Sequence, residues 1–131
     1  MSQKILSLLF LLLGISTYSQ VVINEIDADT PGTDQLEFVE LKSAAPNFSL
    51  DGYVLVFYNE TNTACYYAYD LDGFTTDVNG IFVIGNTLVS PVPDKFLPDS
   101  IFQNGPDAVS LYQGYPLDFP NGSMPTTTNL V

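Results

Sequence analysis

A chain of 131 residues has room for one folded domain once a targeting segment is set aside. Three basic residues against fifteen acidic ones give a formal net charge of −12, with no histidine and no arginine. Such a field repels phosphate backbones and anionic lipid, because affinity for either is built from cations that displace counterions, so nucleic acid is a poor partner; the charge favours solubility, cations and basic surfaces.

In chain order, Met1 to Gln20 reads as a secretory signal: Lys4 supplies the positive start, Ile5 to Ile15 is almost wholly apolar, and Thr17, Tyr18 and Ser19 precede a cleavage expected beside Gln20. The apolar run is shorter than the roughly 20 residues a membrane-crossing helix needs, so no stable membrane insertion is expected after cleavage. The expected destination is extracellular or cell-surface. Cys65 is the only cysteine. No intrachain disulfide is therefore available despite the oxidising compartment, and the expected role of Cys65 is that of a small buried apolar side chain.

Residues 21–131 carry short β-branched and aromatic runs with no apolar recurrence at helical spacing. These predict strands at Val21–Ile26, Leu36–Lys42, Tyr53–Tyr58, Cys65–Asp70, Ile81–Ile84 and Ala108–Tyr112, with a short extended piece at Ser100–Phe102. Between them stand Thr30-Pro31-Gly32, Asp51-Gly52, Asp72-Gly73, Asn79-Gly80 and Asn104-Gly105-Pro106-Asp107, residues that accept positive φ or remove a donor and so end strands. Pro91 to Pro98 holds three prolines and reads as an irregular crossover instead of a strand. The spacing of strands and turns predicts an all-β fold, an immunoglobulin-like antiparallel β-sandwich. Asn129-Leu130-Val131 opens what reads as a further strand, so the domain is expected to be incomplete at its C-terminus and to lack its last strand.

Several segments together resemble the lamin tail domain (LTD) family, in the secreted bacterial, Bacteroidetes-like form. They are Ile23-Asn24-Glu25-Ile26, Glu37-Phe38-Val39-Glu40-Leu41, Leu50-Asp51-Gly52-Tyr53-Val54-Leu55, Asn79-Gly80-Ile81-Phe82-Val83-Ile84-Gly85, and Gln103 through Tyr112. Tyr53 stands where the family often has Trp. What the resemblance implies is a non-catalytic interaction or targeting module, the N-terminal accessory domain of a larger extracellular protein such as a hydrolase. A fragment of a nuclease or phosphoesterase whose catalytic part lies elsewhere is the rival reading.

The candidate chemistry is thin. Glu25, Asp27, Asp29, Asp34 and Glu37 crowd around the first interstrand loop, and Asp27, Asp29 and Asp34 are the candidate ligands for a hard cation such as calcium, which takes several oxygens. The competing and favoured expectation is solvated loop acids. Asp70, Asp72 and Asp77 are expected to accept backbone N–H bonds within turns. Glu37 and Glu40 differ by three along one strand, so one of them is expected to point inward and to need a partner such as Lys42 or a strand-edge N–H. The aromatic group from Tyr53 to Phe82 is expected to be mainly core, with a tyrosine row that stacks on carbohydrate as the alternative. A protein or a cell-surface polysaccharide is the partner class this leaves open. Without histidine the familiar acid–base and nucleophilic arrangements cannot be assembled; no catalytic residue and no organic cofactor are expected.

Overall fold

The computed structural model describes residues 20–28, 35–98, 101–102 and 107–131. The expected signal segment up to residue 19, the turn at residues 30–32, Asp29, Asp34, Ser100 and the turn at 104–106 lie outside them.

Seven strands succeed one another: β1 (Val21–Asp27), β2 (Phe38–Ser43), β3 (Tyr53–Asn59), β4 (Ala64–Asp70), β5 (Ile81–Gly85), β6 (Lys95–Phe96) and β7 (Asp107–Gln113), after which a single 3-10 turn spans Pro116–Asp118. They form a four-stranded sheet in the order β1-β2-β5-β6 and a three-stranded sheet in the order β4-β3-β7. Antiparallel pairing joins all neighbours except β5 and β6, which run parallel. The fold is an all-β sandwich of two sheets.

Burial reflects the strand period of two. In β2, Val39, Leu41 and Ser43 are buried while Phe38, Glu40 and Lys42 alternate outward. The continuous run Tyr53 to Tyr58 in β3 is buried at every position, as befits a strand covered on both faces. Tyr53, Leu55 and Phe57 join Val39, Leu41, Phe82, Ile84 and Leu111 between the sheets. Val54, Val56 and Tyr58 form a second cluster with Cys65, Tyr112 and Phe119 on the other face, beneath the segment after β7. That segment also returns to the sheet: Leu130 pairs antiparallel with Tyr112, flanked by bonds from the Gln113 N–H to the Asn129 carbonyl and from the Val131 N–H to the Leu111 carbonyl.

Two bulges break the alternation. In β1 the register shifts between Ile23, opposite Leu41, and Glu25, opposite Glu40, so Asn24 is the extra residue. In β4, Cys65 pairs with Tyr58 and Tyr67 with Phe57, leaving Tyr66 as the extra residue. A bulge re-aims the side chains around it. Cys65 therefore joins the outer cluster, whereas Tyr66 and Tyr67 both pack toward Phe57, with ring centroids at 6.2 and 5.8 Å.

The crossover expected at Pro91–Pro98 contains a strand after all. Lys95 and Phe96 pair with Ile84 and Gly85, and the adjoining Leu97 N–H bonds to the Gly85 carbonyl at 2.8 Å. Pro93 and Pro98 flank this piece without entering it, and an edge strand two residues long needs few ladder donors. The expected extended piece at 100–102 is not a strand in its described part; Phe102 instead buries its ring at 5.3 Å from that of Phe57. β2 begins at Phe38, not Leu36, because the Glu37 backbone is taken by another partner: its N–H donates to Asn86 Oδ1 at 2.9 Å and its carbonyl accepts the Asn86 N–H at 2.9 Å.

Candidate functional site

The acids after β1 divide by position. Asp27 closes β1 opposite Phe38 and is half-buried; Asp29 and Asp34 lie outside the described residues. Glu37 is 1% exposed. It is the inward-pointing acid of the pair 37 and 40, held where the chain enters β2. Glu25 is exposed on β1. Glu25 and Glu37, the first and last acids of the group expected around the first interstrand loop, are thus separated into surface and interior. Among the described residues no group of three or more His, Cys, Asp or Glu side chains is arranged to hold a metal ion.

The turn acids serve the backbone. The Asp51 carboxylate accepts the Gly73 N–H at 2.7 Å, and the Asp72 carboxylate accepts the Gly52 N–H at 2.6 Å, so the two Asp-Gly turns brace each other. Gly52 and Gly73 sit at φ of +77° and +82°, a region costly for other residues. The Gly73 N–H, with help from the Ser49 hydroxyl, holds the Asp51 carboxyl below its ordinary range. Asp77 accepts the N–H groups of Ile81 and Asn79 at 2.8 and 2.7 Å, and these bonds likewise lower its pKa, the Ile81 bond most. Asp70 accepts the Asp72 N–H at 3.1 Å.

Most of the aromatics are core. Phe57 is fully buried, and the Tyr67 and Tyr69 rings lie 6.2 Å apart with planes tilted by 51°. Burial raises the pKa of both tyrosines. Half-buried, tilted rings do not offer the open flat row that stacking on sugar faces would use. The Tyr66 hydroxyl donates to Asp107 at 2.7 Å, tying β4 to β7 across β3. Cys65, 1% exposed, places its thiol 3.4 Å from the Phe119 carbonyl, and burial pushes its pKa up. It fills the buried role expected of it.

What sequence reasoning missed is the outer face of the four-stranded sheet. Register places Val22, Lys42 and Ile81 in one row across β1, β2 and β5, and Glu25, Glu40 and Val83 in the next. A third row runs Asp27, Phe38, Gly85, Phe96, with Gly85 buried beneath Val89. The outward positions of β1 and β2 thus hold Glu25, Asp27 and Glu40 together with Val22, Phe38 and Lys42, beside Ile81 and Val83 on β5 and Phe96 on β6. Phe96 is 50% exposed and Val22 43%. Glu25 and Glu40 stand directly opposite one another, and the polar neighbour bonded to Glu40 is neutral: Asn24 Nδ2 donates to Glu40 Oε1 at 2.7 Å. The two lysines among the described residues have other partners. Lys42 Nζ donates to the Asn79 carbonyl and its charge lowers the pKa of Asp77, while Lys95 Nζ lies 5.5 Å above the Phe74 ring. No signal in the primary sequence marks this face, because it exists only once the bulge at Asn24 has set the register.

No family model matches the chain, and no curated protein or solved structure is similar to it at the level that would show a relationship.

Proposed function

We propose that this chain is a secreted, non-catalytic interaction module of the lamin-tail kind, acting as the N-terminal accessory part of a larger extracellular protein such as a hydrolase. The observation that carries the reading is the use made of its carboxylates. Asp51, Asp72 and Asp77 spend their oxygens on backbone N–H groups of turns, while Glu25 and Glu40 lie on an outward sheet face beside exposed apolar side chains. Acids in the first group hold turns, and those in the second group are placed to meet a partner. The segments on which the family resemblance rests fall at Ile23–Ile26 in β1, Phe38–Leu41 in β2, Tyr53–Leu55 in β3, Ile81–Gly85 in β5 and Ala108–Tyr112 in β7. That distribution supports the reading, since those motifs would then be the strand sequences of one sandwich. A chain without histidine also lacks the side chain most used for proton transfer near neutrality.

The test is an assay of the purified chain for cleavage of DNA and of simple phosphoesters, with magnesium and with calcium. No turnover above buffer is expected. Hydrolysis that copurifies with the folded chain would overturn the non-catalytic reading.

A further inference from the structure

We infer that the outer face of the four-stranded sheet docks a cationic protein partner, one that presents Lys or Arg side chains beside an apolar stripe. The inference rests on the interaction-module reading and names the class of partner that this face fits.

Three observations converge. The face brings three acids, Glu25, Asp27 and Glu40, interspersed with Val22, Phe38 and Lys42, beside the apolar Ile81, Val83 and Phe96. Glu25 and Glu40 are like charges at directly opposed positions of neighbouring strands, an arrangement that disfavours the isolated sheet and that an added cation would relieve. The countercharge has to come from outside, because both lysines of the described chain are turned to other partners, Lys42 to Asn79 and Lys95 to the Phe74 ring. A net charge of −12 argues against a second copy of this chain as the occupant and would speed encounter with a basic surface. The apolar side chains give such a partner area to bury, which charge alone does not provide.

The probe is a soluble helical peptide with a lysine stripe beside a leucine stripe, titrated into the full chain and monitored by amide chemical shifts. Two further peptides are compared with it, one with glutamate in place of lysine and one with serine in place of leucine. Binding of the lysine–leucine peptide is expected, with shifts centred on Val22, Glu25, Glu40 and Val83, weaker binding of the lysine–serine peptide, and none of the glutamate peptide. The double variant Glu25→Gln, Glu40→Gln is expected to weaken binding about tenfold, as loss of facing charge does at interfaces. Glu60→Gln, on the exposed β3–β4 connection, is expected to leave it unchanged. The same spectra report whether each variant is folded. Shifts spread evenly over the molecule, equal weakening by Glu60→Gln, or no binding of the lysine–leucine peptide would each overturn the proposal. None of these outcomes depends on hydrolytic activity, so failure here and failure of the non-catalytic reading are told apart.

Discussion

Asp51 and Asp72 hold each other's turns: each carboxylate accepts the N–H of the glycine just after the other aspartate, at 2.7 and 2.6 Å. The exchange clips the entry of β3 to the exit of β4. Because the Gly73 N–H favours the charged form of Asp51, its folded pKa lies below the ordinary value of 3.8. A carboxyl with a depressed folded pKa contributes stability that is fully present above its unfolded value and is lost as pH falls through the folded one. Asp77 adds a contribution of the same sign. The expected outcome is a melting temperature that falls as pH drops below about 4. Asp51→Asn is expected to melt lower than wild type at neutral pH and to converge with it in acid, and thermal melts at a series of pH values check both.

Tyr58 and the tyrosines of β4 set the opposite limit. Burial first, then the neighbouring Tyr112 hydroxyl at 3.2 Å, raises the Tyr58 pKa far above 10.0, and burial raises those of Tyr67 and Tyr69. An acid whose folded pKa is raised stays neutral in the fold while the unfolded chain ionises. Its stabilising contribution is present below pH 10 and is lost as pH climbs from there through the folded value. Tyrosinate absorbance should therefore rise together with the loss of β-sheet circular dichroism above about pH 10, and not ahead of it. Free titration of these tyrosines in a folded protein would contradict the burial argument.

Phe57 is the packing centre between the sheets, fully buried and within 5.3 to 6.2 Å of the rings of Phe102, Tyr67 and Tyr66. Its removal leaves a cavity lined by rigid aromatics that cannot collapse fully. Phe57→Ala is expected to cost about 3–5 kcal/mol, measured as the change in urea unfolding free energy.

The juxtaposition of Glu25 and Glu40 makes one substitution stabilising. Glu25→Gln removes the like-charge pair without touching the bond from Asn24 to Glu40. The variant should be more stable than wild type by about 0.2–1 kcal/mol at low ionic strength. High salt should shrink the gain, since exposed charges are screened. Chemical denaturation at two salt concentrations measures both.

The strands were legible where local chemistry and tertiary role agree. Tyr53 to Tyr58 is a run of apolar side chains between two turns, and it forms the central strand that is buried on both faces. Val39, Leu41 and their outward neighbours alternate as a half-buried strand must. The turn acids were legible for the same reason, because an Asp before or near a glycine has backbone donors within reach whatever the rest of the fold does. Lys95–Phe96 was not legible. Two residues between prolines carry no period, and they form a strand only because β5 offers them an edge. The burial of Glu37 was half legible: alternation requires one of positions 37 and 40 to turn inward, and Asn86, forty-nine residues away, decides which by occupying the Glu37 backbone.

The bulge at Asn24 shows where the boundary lies. Strand period alone puts Val21, Ile23 and Glu25 on one face, which would aim a carboxylate at the core opposite Val39. The extra residue instead places Glu25 opposite Glu40 and Ile26 opposite Val39, so the acid reaches solvent and the isoleucine takes the side of the sheet that Val39 occupies. Composition and period were enough to determine the sheet class, the positions of the strands other than β6 and the acidic character of the surface, because those depend on residues near one another in the chain. Which acids share a face, and which stand beside apolar side chains, was decided by register between distant strands, and a one-residue shift in register reverses every side chain beyond it.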